Sequence, residues 1–248
     1  MASLTIGNQF TVLDSVDSSN NYAMALARSG GARQGDVFFA MQQTAGKGQR
    51  GKQWITARGV NIMQSIVLET NELGATDLFP LSMAMALGVY DWFSEKAGDD
   101  TRIKWPNDLY WRDRKAGGIL IENLWVAGHW QFAIAGMGIN LNQRAFDPAV
   151  RNPVSLLQIT GKEYDLLPEA ALLCACLDKR WQQLCAGGRQ QLHTDFESVL
   201  YKRGETVRLK KDNRVFETMV KGVSTQGELI TRDALLHHFA VGSVEWLP

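Results

Sequence analysis

Two apolar runs of similar length, Gly118 to Val126 and His129 to Met137, flank the dipeptide Ala127-Gly128. A gap this short leaves no room for a crossover, so the runs pair as an antiparallel hairpin. The rest of the chain must supply what covers that sheet. Ser18-Ser19 precedes an Ala-rich run, Asn20 to Ser29, that stops at Gly30-Gly31, the layout of an N-capped helix with glycine at its end. Asp36 to Gln42 and Val60 to Leu68 read as strands. Asp77 to Ala97 carries Leu81, Met85, Val89, Trp92 and Phe93 near helical spacing, with Pro80 in the first turn where proline is tolerated. Pro106-Asn107-Asp108 is a turn signal. Pro168 to Ala186 is a further helix, and another follows up to about Tyr201. After Arg203-Gly204 the texture changes to short strand-like runs, Thr206–Lys210, Val215–Val223, Glu228–Thr231 and His238–Val241. They predict a small β-barrel of about fifty residues, too few for a large core of its own. The expected division is 1–199 and 200–248.

Bulk properties exclude several classes. No apolar run is long enough to span a membrane, and the opening residues from Met1 lack the basic-then-apolar layout of a signal peptide, so a cytoplasmic protein is expected. Cations and anions balance at 26 each, which argues against a dedicated nucleic-acid binder but leaves room for a local basic site. Cys174, Cys176 and Cys185 form no C-x-x-C pair and are expected as reduced thiols in a core. His237 and His238 are adjacent on an expected strand, so they point to opposite faces and no metal site is expected.

The segment Gly46 to Lys52 gathers three glycines and three cations. Glycine lets backbone approach a ligand closely, and lysine and arginine neutralise anions. The segment formally fits G-x-G-x-x-G, but Trp54-Ile55-Thr56 and the turn at Arg58-Gly59 follow it instead of a helix. It also fits G-x-x-x-x-G-K, but Gln53 stands where a P-loop needs a hydroxyl for magnesium. Two readings stay open on these residues alone: a solvated basic hairpin loop, or a loop that closes over phosphate.

Two further stretches bear on the choice. Lys104-Trp105-Pro106-Asn107-Asp108 leads to Lys115-Ala116-Gly117-Gly118, where a lysine beside glycines can reach a ligand unobstructed, or can simply sit in a surface turn. Gly136-Met137-Gly138-Ile139-Asn140 again leaves backbone uncovered at a strand end.

Taken in order, Asp17-Ser18-Ser19-Asn20, the glycine loop with Trp54, the K-W-P-N-D segment, Lys115 with Gly117-Gly118, and Gly136–Asn140 resemble the biotin protein ligases, over most of residues 12–142 and more weakly through the C-terminal part. The K-W-P-N-D segment with its downstream lysine is the specific part. The resemblance implies an α+β fold, a mixed sheet flanked by helices with an SH3-like C-terminal barrel. It implies a two-step reaction with Mg²⁺ and ATP: biotin is activated to biotinyl-adenylate, then passed to a lysine of a biotin carboxyl carrier domain. It implies that Ser18, Ser19, Asn20, Gln43, Lys47, Gly48, Gln49, Lys115 and Gly118 hold biotin, and that Gly46, Arg50, Trp54, Asn107 and Asn140 lie on the nucleotide side. Lys115, Arg50 and Asp108 are the expected catalytic groups, Asp108 as a candidate base for the incoming amine or as an aspartate capping its own turn. The familiar loop is often written G-R-G-R-x-G-R; here Lys47, Gln49 and Lys52 replace arginines, so bidentate contacts are not expected at those positions. Only sixteen residues precede Asp17, so the expected form is ligase-only, without DNA binding, as a monomer or homodimer. Two rivals remain: a lipoate– or octanoate–protein ligase, and a catalytically silent biotin-binding module.

Overall fold

The computed structural model describes residues 5–247; Met1 to Leu4, on which part of the signal-peptide reading falls, lie outside the described residues, as does Pro248. A seven-stranded sheet forms the body. Its strands are β1 (Phe10–Leu13), β2 (Val37–Ala40), β3 (Ile62–Glu69), β4 (Thr101–Lys104), β5 (Asp108–Trp111), β6 (Arg114–Val126) and β7 (His129–Ile139), in spatial order β1-β2-β3-β7-β6-β5-β4. Only β1 and β2 run parallel. The others are antiparallel, including the expected β6–β7 hairpin, which turns at Ala127 and Gly128 with positive φ at both.

Alternation along the strands decides what covers each face. Phe38, Val67 and Ile134 point one way and pack on Ala23 and Ala27 of α1 (Ser19–Ser29). Phe39, Ile66, Leu68 and Ala135 point the other way, into the main core with α2 (Leu78–Ala97) and α4 (Leu166–Cys185). α1 ends as expected on Gly30 in the left-handed conformation. Its start differs from expectation: Ser18 has extended backbone there, but its side chain makes no capping hydrogen bond. Two short helices, α3 (Leu156–Thr160) and α5 (Arg189–Ser198), complete this part.

The cysteine expectation needs correcting. All three lie on α4, but residues two apart on a helix sit about 200° apart around its axis. Cys174 is buried and Cys176, on the other side of the helix, is half-buried, whereas Cys185 is exposed at the last residue of α4.

Strands β8 (Thr206–Lys211), β9 (Arg214–Val223), β10 (Leu229–Arg232), β11 (Leu236–Phe239) and β12 (Glu245–Trp246) form a second, antiparallel sheet in the order β11-β10-β9-β8-β12. Its apolar side, Leu209, Val220, Val223 and Leu229, is continuous with the main core. Polar contacts fix the junction. Trp105 Nε1 donates to the Gly227 carbonyl at 2.9 Å, and Glu197 accepts from the Val223 amide at 3.1 Å. No helix among the described residues is long and apolar enough to cross a membrane.

Candidate active site

The glycine loop folds back as a small hairpin. Lys47 and Gln53 form an antiparallel bridge, and the Trp54 amide donates to the Gly46 carbonyl at 2.8 Å. Between them Gln49–Gly51 makes one tight turn, with Arg50 at φ 57°. A side chain at position 46 would come within 2.5 Å of the Trp54 carbonyl, so glycine is required for the loop to close on itself. The loop therefore is a hairpin. What it covers decides between the two open readings.

It covers two clusters. The first runs through the start of α1 and the middle of the sheet. Ser19 donates through its amide to Gln43 Oε1 at 2.7 Å; its hydroxyl lies 3.1 Å from the same oxygen and gives its one proton to Ser65. Ser65 Oγ lies 2.7 Å from Ser19 Oγ and 2.6 Å from Asn20 Oδ1; the amide oxygen can only accept, so Ser65 donates to it. Asn20 Nδ2 donates to Glu122 Oε2 at 2.8 Å and to the Leu120 carbonyl at 3.3 Å. Glu122 Oε1 meets Lys47 Nζ at 3.1 Å. Ser18, Ser19 and Asn20 are all buried, although serine and asparagine are mostly exposed residues. The paired groups of Ser19, Asn20 and Ser65 form a surface of fixed donors and acceptors.

The second cluster lies at the other end of β6. Lys115 Nζ meets Asp108 Oδ1 at 2.6 Å, with both side chains about a third exposed, and the Trp54 ring centre is 6.0 Å from that ammonium. Gly118 leaves the space: a Cβ there would lie 3.2 Å from Asp108 Oδ1 and 3.4 Å from Lys115 Nζ. Trp54 itself lies flat on Gly138, where a Cβ would come 2.5 Å from its ring. Asp108 starts β5 opposite Gly118 and spends its carboxylate on Lys115.

The two asparagines expected near the nucleotide are buried braces. Asn107 Nδ2 donates to the Ile119 carbonyl, and Asn140 Nδ2 to the carbonyls of Lys115 and Val154 at 3.3 and 3.1 Å. They hold the strand that carries Lys115. Arg50 is not gathered with Lys47 or Lys115. Its guanidinium lies against Gly242, in the turn after β11, and occupies the place a Cβ there would take. Gly48 donates its amide to Lys52 at 2.6 Å, inside the hairpin.

Sequence reasoning passed over Ser65 and Glu122, and gave Lys104 no role beyond its place in the K-W-P-N-D segment. The first two are polar residues inside apolar strand runs, which is a readable signal. Lys104 Nζ sits among the rings of Tyr110, Tyr201 and Trp246 at 4.7, 5.6 and 5.2 Å and donates to Tyr110 Oη at 3.2 Å. Burial is the main cause that lowers this ammonium to about 8, and burial likewise raises the Tyr110 phenol to about 12. Among the described residues no group of three or more histidine, cysteine or carboxylate side chains gathers as a metal site.

The family model described as "Biotin/lipoate A/B protein ligase family" matches residues 12–140. The biotin–[acetyl-CoA-carboxylase] ligase of Paracoccus denitrificans is 32% identical over 89% of this chain and 93% of its own. The bifunctional ligase/repressor BirA of Escherichia coli K12 is 29% identical over 96% of this chain and 74% of its own. Among solved structures, the biotin protein ligase from Aquifex aeolicus in complex with biotin and ATP superposes with a TM-score of 0.82 at 23% identity, over 97% of this chain and 99% of that one. With the family model spanning more than half its length, this chain belongs to the biotin/lipoate A/B protein ligase family.

Proposed function

We propose that this protein is an ATP-dependent biotin–protein ligase that makes biotinyl-5′-adenylate and transfers biotin to a lysine of a biotin carboxyl carrier domain. The observation that carries the reading is the pairing of the two clusters under one loop. Buried Ser19, Asn20 and Ser65, linked to half-buried Gln43, suit a small ligand that needs fixed donors and acceptors, such as a ureido group. Lys115, at the start of β6, suits a carboxylate meeting a phosphate. The named activities of the Paracoccus and Aquifex relatives point the same way.

In the first step the biotin carboxylate attacks the α-phosphate, and pyrophosphate leaves. Both reactants are anions, so positive charge must lie where they meet. Lys115 supplies it by exchanging Asp108 for the phosphate. In the second step the acceptor amine attacks the acyl carbon of the mixed anhydride and AMP leaves. Once Lys115 has turned to the phosphate, Asp108 is free to accept a proton or hydrogen bond from that amine. The loop, with Trp54 seated on Gly138, excludes water from the anhydride. Magnesium enters as part of the nucleotide substrate. Asp108, once released by Lys115, would be the carboxylate to meet an ion carried mostly by phosphates and water, and that ion's charge would screen the triphosphate.

The test is incubation with biotin, Mg-ATP and a biotin carboxyl carrier domain, followed by product mass. A gain of one biotinyl group, with pyrophosphate released, is expected. Modification by lipoate or octanoate instead would assign the other branch of the family. Binding of biotin with no pyrophosphate from ATP would make the protein a silent binding module.

A further inference from the structure

The polar cluster has one member that nothing in the two-step chemistry requires. Glu122 is an anion placed in a site that must admit a carboxylate and a triphosphate. Its charge opposes both ligands, so its presence calls for a compensating role. Its two oxygens face different parts of the molecule. Oε2 accepts from Asn20 Nδ2 at 2.8 Å, and Asn20 is only 4% exposed, at the foot of α1. Oε1 holds Lys47 Nζ at 3.1 Å, and Lys47 belongs to the loop. The path closes on itself: Asn20 leads through Ser65 and Ser19 to Gln43, which lies three residues before Gly46 at the base of the same loop. One carboxylate thus joins Asn20, at the foot of α1, to the glycine loop.

We infer that Glu122 is a positioning residue that couples occupation of the Asn20 pocket to closure of the loop over residues 46–54. This rests on the ligase reading above. A ligand seated against the Asn20 amide adds to the hold on it, and Glu122 Oε2, which accepts from that amide, is held more firmly in turn. A fixed Oε1 then pins Lys47, and with it the bridge between Lys47 and Gln53. Exposed ion pairs are individually weak, and this one has side chains 39% and 31% exposed. The coupling is therefore small for each amide and cooperative across the hairpin. By linkage, closing the loop raises biotin affinity by the same factor.

The test is hydrogen exchange of the loop amides in the full chain, free and saturated with biotin, for the wild type and for Glu122→Gln. The glutamine keeps an acceptor for Asn20 but loses the charge that holds Lys47. Biotin should slow exchange through residues 46–54 in the wild type. In Glu122→Gln, biotin should still bind, and the slowing should shrink by about two- to fivefold, the range of an exposed ion pair. Lys47→Gln breaks the same pair from the loop side, so at biotin saturation, set by each variant's own titration, it should lose the same part of the protection. Equal protection in both variants and the wild type would overturn the coupling. So would a wild-type loop that ignores bound biotin. If the wild type forms no adenylate from biotin and ATP, the ligase reading fails; if it does while the variants protect normally, only Glu122's role fails.

Discussion

Gly136→Ala puts the account of the pocket to a direct test. Gly136 lies on the central strand β7, paired with Ser65 on β3 and Leu120 on β6, and an added methyl would overlap the Asn20 amide oxygen. That amide cannot swing aside freely. It is held by Ser65, the Leu120 carbonyl and Glu122, and α1, which carries it, is packed on the sheet through Ala23 and Ala27. Making room means overpacking a tight interface and giving up at least one buried hydrogen bond. Overpacking costs about 1–3 kcal/mol, and a stranded buried polar group costs about as much. The expected loss of stability is about 2–3 kcal/mol, read by denaturant unfolding. If Asn20 contacts biotin, displacing it should also weaken biotin binding by tenfold or more, since about 1.4 kcal/mol is a factor of ten. Titration calorimetry on the folded variant measures this. Wild-type stability would refute the described contact between Gly136 and Asn20. Lower stability with unchanged biotin affinity would keep the packing and remove Asn20 from the binding site.

Three other outcomes follow from the same geometry. Lys115→Ala should fold, because Asp108 is about a third exposed and water can replace the lost partner; pyrophosphate release should fall by about a hundredfold, the cost of about 3 kcal/mol of transition-state charge stabilisation, and near-normal release would remove Lys115 from the chemistry. Asp108→Asn should make adenylate but transfer it slowly, with the deficit shrinking as pH rises toward the amine's own pKa of about 10.4; equal slowing of both steps, measured by pyrophosphate release and by carrier mass, would exclude a role for Asp108 toward the amine. Lys104→Met should flatten the pH dependence of stability above neutrality. With its folded value lowered to about 8 by burial, Lys104 binds its proton less tightly than in the unfolded chain, so its contribution makes stability rise with pH from that value toward the unfolded one; unfolding at about pH 7 and about pH 9.5 checks whether the variant loses that rise.

How far the sequence could be read depended on length and on what the glycines were for. The long elements were legible because periodicity accumulates: α2, α4, β3 and the β6–β7 hairpin all fall where the apolar spacing puts them. Strands β1, β4 and β5 have four residues each, too short to show a period, and β5 begins at Asp108, inside what reads as a turn. The glycines of 136–138 were legible as uncovered backbone. Their reason was not: Gly136 makes room for Asn20, and Gly138 for Trp54, contacts across more than eighty residues of chain. For the candidate site, composition and motif pointed to Lys115, Asn20 and the loop. They could not locate Glu122, whose meaning comes only from the two residues its oxygens touch.

Those pairings also explain how a chain with no net charge can be suited to a polyanionic substrate. A bare patch of cations would repel itself and destabilise the fold. Here two of the relevant lysines are held by carboxylates, Lys47 by Glu122 and Lys115 by Asp108, each on the sheet beneath the loop. Partial exposure keeps both pairs weak. A phosphate or a biotin carboxylate can therefore displace a protein carboxylate at small cost, whereas a fully buried pair would resist exchange. On the proposed reading, the site keeps its positive charge ordered and compensated until the ligands take over as its partners.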